Sequence, residues 1–173
     1  MKKAAFIIAF NDFQDQEYFS TKQILEKSGI KVFTFSDQTG VARGSYGGEV
    51  KVDGEVDALE VSVYDAIIFI GGGGASRFIE DFVCHKICKE AIEKNKILAA
   101  ICIAPAILAK SGVLKRKKAT VWTNLMDKSA VKILKDGGAD YTSVDVEVDG
   151  RIVTADGPAS AEKFGKAISD LIK

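Results

Sequence analysis

The sequence predicts an α/β protein, a three-layer α/β/α sandwich around a mostly parallel sheet, on three observations. Short runs such as Ala4–Phe10 and Ala66–Ile70 are apolar without alternation, the pattern of strands covered on both faces. Segments with helical spacing separate them, so the connections are too long for hairpins and fit right-handed crossovers. Three groups with chemical potential, Asn11–Glu17, Gly71–Gly74 and Cys102, fall at the carboxyl ends of the apolar runs, where open parallel sheets bind ligands.

In chain order, Ala4–Phe10 is the first strand. A helix is expected over 16–28, with Phe19, Ile24 and Leu25 near helical spacing, Asp15 as its cap and Gly29 at the left-handed position that closes it. Ile30–Phe35 reads as the second strand, and Arg43–Val52, with Gly44 and the Gly47-Gly48 pair, as a small hairpin over the main sheet. Ala66–Ile70 precedes four consecutive glycines and a helix over 78–95. Ile97–Ile101 is the next strand, followed by Cys102 and a helix with Pro105 in its first turn and Gly112 at its end. A short strand at 119–122, a helix at 127–135, a hairpin of 144–148 with 152–155 and a last helix over 159–172 complete the chain.

With 173 residues, 47% of them apolar, the chain can bury one sizeable core but is short for two domains, so residues 1–173 are expected to form one domain. Lys+Arg and Asp+Glu are equal at 24 each. No charge imbalance therefore points to nucleic acid or to an anionic membrane surface. Three cysteines, Cys84, Cys88 and Cys102, are an odd number at irregular spacing, unlike a disulfide framework, and fit a reducing compartment. The apolar start is short for a signal peptide and runs into Asn11-Asp12 without a cleavage site. No stretch reaches the roughly 20 apolar residues that span a bilayer. A soluble, cytoplasmic protein is the expectation.

A residue at a tight strand-to-helix turn projects from the sheet edge with the N–H groups of the next helix behind it. A cysteine there, Cys102, is expected to be a favoured thiolate, with backbone donors for an oxyanion. An inert buried thiol is the plainer alternative, since free cysteine is commonly buried.

Ala100-Ile101-Cys102-Ile103-Ala104-Pro105 resembles the A-I-C-x-G-P elbow of the ThiJ/PfpI family, with Ala104 in place of the usual glycine. Phe69-Ile70-Gly71-Gly72 is similar to the family's strand and oxyanion turn, Glu17 stands at its acid position, and Gly157-Pro158-Ala159-Ser160 fits the segment before its last helix. The resemblance covers nearly the whole chain. It implies a flavodoxin-like, glutamine amidotransferase-like fold, with Cys102 and Glu17 as the reactive pair and Gly72 and Ile103 as backbone donors. Gly71, Gly73, Trp122 and Pro158 would line the pocket, with no metal and no cofactor. It also implies a homodimer paired through the first helix and the small hairpin, a surface carrying Tyr18, Phe19 and Tyr46.

An ionised Glu17 beside a thiolate would raise both pKa values, so the pair works only with Glu17 protonated and donating to sulfur. Two departures bear on activity. Peptidase-like members carry histidine directly after the cysteine, where this chain has Ile103. Glyoxalase and deglycase members often carry one where it has Trp122. The single histidine, His85, is placed on another helix.

Other signals read as packing or solvated loops. The glycine tract lacks the third glycine of a dinucleotide fingerprint and any Gly-Lys-Ser/Thr ending. Cys84 and Cys88 share a helix face at i and i+4 and fit the core, since no second cluster completes four zinc ligands. Lys115–Lys118 lies in a predicted connection. Three functions stay open: a stress protein whose Cys102 is readily oxidised, a glyoxalase, deglycase or hydrolase in which Cys102 adds to a small reactive carbonyl, and non-catalytic binding of a small ligand or partner.

Overall fold

The computed structural model describes all residues, Met1–Lys173. Its strands are β1 (Lys3–Ile7), β2 (Asn11–Phe13), β3 (Lys31–Ser36), β4 (Val41–Gly44), β5 (Glu49–Lys51), β6 (Gly54–Glu55), β7 (Ala66–Phe69), β8 (Ile97–Ile101), β9 (Lys118–Ala119), β10 (Asp140–Tyr141), β11 (Val146–Asp149) and β12 (Ile152–Ala155). Its helices are α1 (Asp15–Lys27), α2 (Phe82–Glu93), α3 (Pro105–Ser111), α4 (Ser129–Asp136) and α5 (Ala161–Ile172).

Seven strands form the central sheet in the order β11-β12-β8-β7-β1-β3-β6. All neighbours are parallel except the β11/β12 hairpin at one edge. Alternation along β7 explains the unbroken apolar runs. Ile67 and Phe69 enter a core with Cys84 and Cys88 of α2 and Ile107 and Leu108 of α3. Ala66 and Ile68 enter the opposite core with Leu25 of α1 and Phe164 and Ile168 of α5. The inner strands β1, β7 and β8 are covered on both faces, which is the sandwich the pattern predicts.

Close approach of α1 and α5 depends on Gly165, where a Cβ would lie 3.1 Å from that of Ile24. No helix is long and apolar enough to cross a membrane.

Several local expectations change. Gln14, not Asp15, caps α1: its side chain accepts the Glu17 N–H. Asp15 instead accepts the Tyr46 and Gly48 N–H groups, at 2.8 and 2.6 Å. The helix expected over 78–95 is a 3-10 segment at Gly73–Phe78 followed by α2, because Asp81 caps at the Cys84 N–H. The strand expected at 119–122 keeps ladder pairing only in β9. Tyr18 is 1% exposed and shares a 2.7 Å hydrogen bond with Thr34, so it does not belong to the surface with Phe19 and Tyr46. β2, which joins β4 and β5 in a three-stranded sheet, has no apolar signature.

Candidate active site at the strand ends

Parallel neighbours point their carboxyl ends the same way, so the order β8-β7-β1 brings three segments together. Cys102 follows β8, Gly71 and Gly72 follow β7, and the chain leaving β1 passes through β2 into α1, which carries Glu17. Cys102 adopts φ +64°, the left-handed region that non-glycine residues rarely occupy. That strained turn lifts its side chain off the sheet before Pro105 opens α3. Its N–H is held by the Ala155 carbonyl at 3.0 Å and its carbonyl by the Trp122 N–H at 2.9 Å, so both adjacent segments over-determine the elbow.

Gly71 is required by space. A Cβ there would lie 2.6 Å from the Cys102 Cβ, 2.6 Å from Glu17 Oε2 and 2.8 Å from the Ile101 carbonyl. Gly72, at φ +111°, could not carry one either, since it would lie 2.5 Å from the Asp12 carbonyl and the Gln14 nitrogen. The glycines thus let three backbones meet. The N–H groups of Gly72 and Ile103 lie close enough to the Cys102 sulfur to pull its pKa down, and there they would also meet an oxyanion.

Glu17 is completely buried. Its Oε2 accepts the Gly71 N–H at 2.8 Å, Oε1 is buried without a hydrogen-bond partner, and the carboxyl interacts with the Cys102 thiol. Burial lifts its pKa to about 7, against the opposing pull of Cys102 and the Gly71 N–H. Glu17 therefore changes charge near neutrality.

Burial also pushes the Cys102 thiol up, an ionised Glu17 pushes it further, and the Ile103 and Gly72 N–H groups pull it down. This reverses the depressed thiol pKa expected from the sequence, because desolvation outweighs the two donors. The Glu17 contribution changes sign when Glu17 is protonated, since the carboxyl then donates to sulfur. The two groups titrate as a pair that shares one proton above neutrality.

Of the remaining sequence-derived pocket residues, Trp122 is half-buried beside Cys102 through its N–H. Gly157 lies against its ring, where a Cβ would be 3.7 Å from Cδ1, and Pro158 opens the turn after β12. Gly73 is exposed at the start of the 3-10 segment. His85 stands apart on α2, its Nε2 2.7 Å from the Ile79 carbonyl. Cys84 and Cys88 are fully buried in the core. Gln14 is the site residue that the sequence did not single out. Asp15 next to it looked like the better cap, because short acids and hydroxyls are the usual ones.

A strained elbow cysteine at the carboxyl edge of a parallel sheet, with two backbone N–H groups and a buried carboxyl beside it, defines a class of α/β proteins. The particular family is also shown: the DJ-1/PfpI family profile matches residues 2–171, and this chain belongs to that family. Uncharacterized protein MJ0967 of Methanocaldococcus jannaschii is 34% identical over 172 residues, spanning 99% of this chain and 82% of the relative. Deglycase PH1704 of Pyrococcus horikoshii is 28% identical over 171 residues, with 99% of each chain covered. A ThiJ/PfpI domain protein from Brachyspira murdochii has a closely similar structure, with TM-score 0.93 and 29% identity over 98% of this chain and 95% of that one.

Proposed function

We propose that this protein acts on small reactive carbonyl compounds or their adducts, as a deglycase- or glyoxalase-type enzyme with Cys102 as nucleophile. The observation that carries the reading is the convergence of the Cys102 elbow, the Gly72 and Ile103 N–H donors and a buried Glu17 that titrates at about 7. The deglycase named among its relatives supports the same chemistry.

In the first step the Cys102 sulfur attacks the carbonyl carbon, the thiol proton passes to the Glu17 carboxylate, and the C=O π pair moves onto oxygen. The Gly72 and Ile103 N–H groups receive that oxyanion. Glu17 then returns the proton to the oxygen, leaving a neutral hemithioacetal. No histidine is needed for this exchange, since Glu17 lies next to both the sulfur and the donors.

The test is the consumption of methylglyoxal by purified protein beside Cys102→Ser at equal concentration. Turnover that disappears in the mutant supports the reading, and equal rates in the two proteins would sink it.

Oxidation is a second reading, favoured by the partial exposure of Cys102 beside fully buried Cys84 and Cys88. One peroxide converts the thiol to a sulfenic acid and releases water, and a second gives the sulfinic acid. A protonated Glu17 would donate to the sulfinate.

A further inference from the structure

The first turn of α1 is tied to the glycine turn by a closed ring of three hydrogen bonds. The Gln14 backbone N–H donates to the Gly71 carbonyl at 3.0 Å. The Gly71 N–H donates to Glu17 Oε2 at 2.8 Å, and the Glu17 N–H donates to the Gln14 side-chain Oε1 at 2.8 Å. Gln14 is therefore bonded both to the residue that carries the acid and to the strand end that carries the Gly72 donor. Its own carbonyl accepts the Tyr18 N–H at 3.1 Å, which fastens it into the helix.

Neighbouring polar residues do something else. Asp12 accepts the Ser45 hydroxyl, and Asp15 holds the hairpin through the Tyr46 and Gly48 N–H groups. The titratable group that acts on Glu17 is Cys102, with the Gly71 N–H as its other partner. Oε1 is buried without a hydrogen-bond partner, so the carboxyl is oriented by the Gly71 N–H at Oε2, by its contact with the Cys102 thiol and by the backbone it hangs from. That backbone is set by the bond to the Gln14 amide oxygen.

We infer that Gln14 is a positioning residue for the site, holding Glu17 and the Gly71–Gly72 turn in the register at which the carboxyl acts on the Cys102 sulfur. The inference rests on the proposed role of Glu17. Without the amide acceptor the first turn of α1 loosens, water reaches the carboxyl, and Glu17 moves away from both Gly71 and sulfur. A merely structural cap would lower stability and leave the titration of the pair where it was.

The experiment follows the iodoacetamide alkylation rate of Cys102 against pH, peptide by peptide in mass spectrometry, in the full chain. In the wild type the logarithm of the rate should climb with pH and flatten where Glu17 titrates, because above that point the pair has one proton to share. Gln14→Leu should move the break down by about one pH unit, toward an ordinary carboxylate, and slow alkylation below the break. Gln14→Asn, whose oxygen caps the same N–H, should restore the wild-type profile. In a Glu17→Leu background the Gln14 change should leave the profile unaltered, as coupling through one residue requires.

A wild-type break in Gln14→Leu overturns the inference even if its melting temperature falls, and so does an Asn variant that behaves like Leu. If Gln14→Leu does not fold, Gln14→Ala supplies the same comparison with less bulk. The underlying reading fails separately: it fails if Glu17→Leu alone keeps the break.

Discussion

Glu17 carries a pH dependence whose sign follows from its environment. Its folded pKa of about 7 lies above the roughly 4.3 of an ordinary glutamate, so the native state holds the proton more tightly than the unfolded chain. That contribution is complete below the unfolded value and is lost as pH rises through about 7. The loss is on the order of 3 kcal/mol by linkage. Urea unfolding at about pH 5 and about pH 8 should therefore show the wild type losing stability toward alkali, while Glu17→Gln, with no charge to bury, loses much less. Identical slopes in both proteins would mean that Glu17 titrates like an exposed acid. The thiols differ in the same way. Burial raises Cys88 to about 12 and raises Cys84 as well, and neither reaches solvent. Cys102 is also raised, so its selectivity rests on access and on donors for an added oxygen. Mild peroxide should oxidise Cys102 before either core thiol, as read by mass spectrometry of the three cysteine peptides. Prior oxidation at Cys84 or Cys88 would contradict this.

At the scale of elements, the site depends on two glycines and one buried strand end more than on any helix. Gly71→Ala places a methyl group against Cys102, Glu17 and the Ile101 carbonyl at once, and backbone is among what must move. A loss of about 1 to 3 kcal/mol is expected, the range of overpacked cores, together with a displaced Glu17 and a changed Cys102 alkylation profile. An unchanged melting temperature and profile would show that the three segments are not packed as described. The sequence revealed the core elements because their signals are local. Ile97–Ile101 is apolar throughout and ends at an elbow, Pro105 stands at the start of α3, and Gly112 closes it at φ +89°. It could not reveal β2, β6 and β10, which are two or three residues long and owe their pairing to distant partners, and it placed the short strand β9 one residue late and two residues too long. Nor could helical spacing choose between Tyr18 and Phe19. The Thr34 hydroxyl across the core decides that Tyr18 is the buried one. The raised Cys102 pKa was hidden for a related reason: an elbow motif displays its N–H donors, whereas desolvation is set by how the whole site packs.

At the scale of the whole molecule, two of the aromatic side chains left exposed after both cores are filled belong to α1 and the β4/β5 hairpin. Phe19 is 43% exposed and Tyr46 82% exposed. Phe19 packs against the hairpin that carries Tyr46, because a Cβ on Gly48, two residues beyond Tyr46, would lie 2.6 Å from the Phe19 ring. Asp15 fixes this arrangement by holding the N–H groups of Tyr46 and Gly48, so the patch is a firm face formed by α1 and the β4/β5 hairpin. Rigid exposed aromatic side chains are the residue types that interfaces use as anchors. The prediction is a homodimer paired through this face, with a scattering mass near twice the 18.6 kDa of one chain. Tyr46→Glu combined with Phe19→Glu should give the monomer mass, because two carboxylates would have to be buried at the contact, while circular dichroism stays unchanged. Asp15→Ala should weaken association less, by freeing the hairpin without charging it. A wild-type mass of one chain at micromolar concentration would remove the dimer. A double mutant that still weighs as two chains would move the interface elsewhere on the surface.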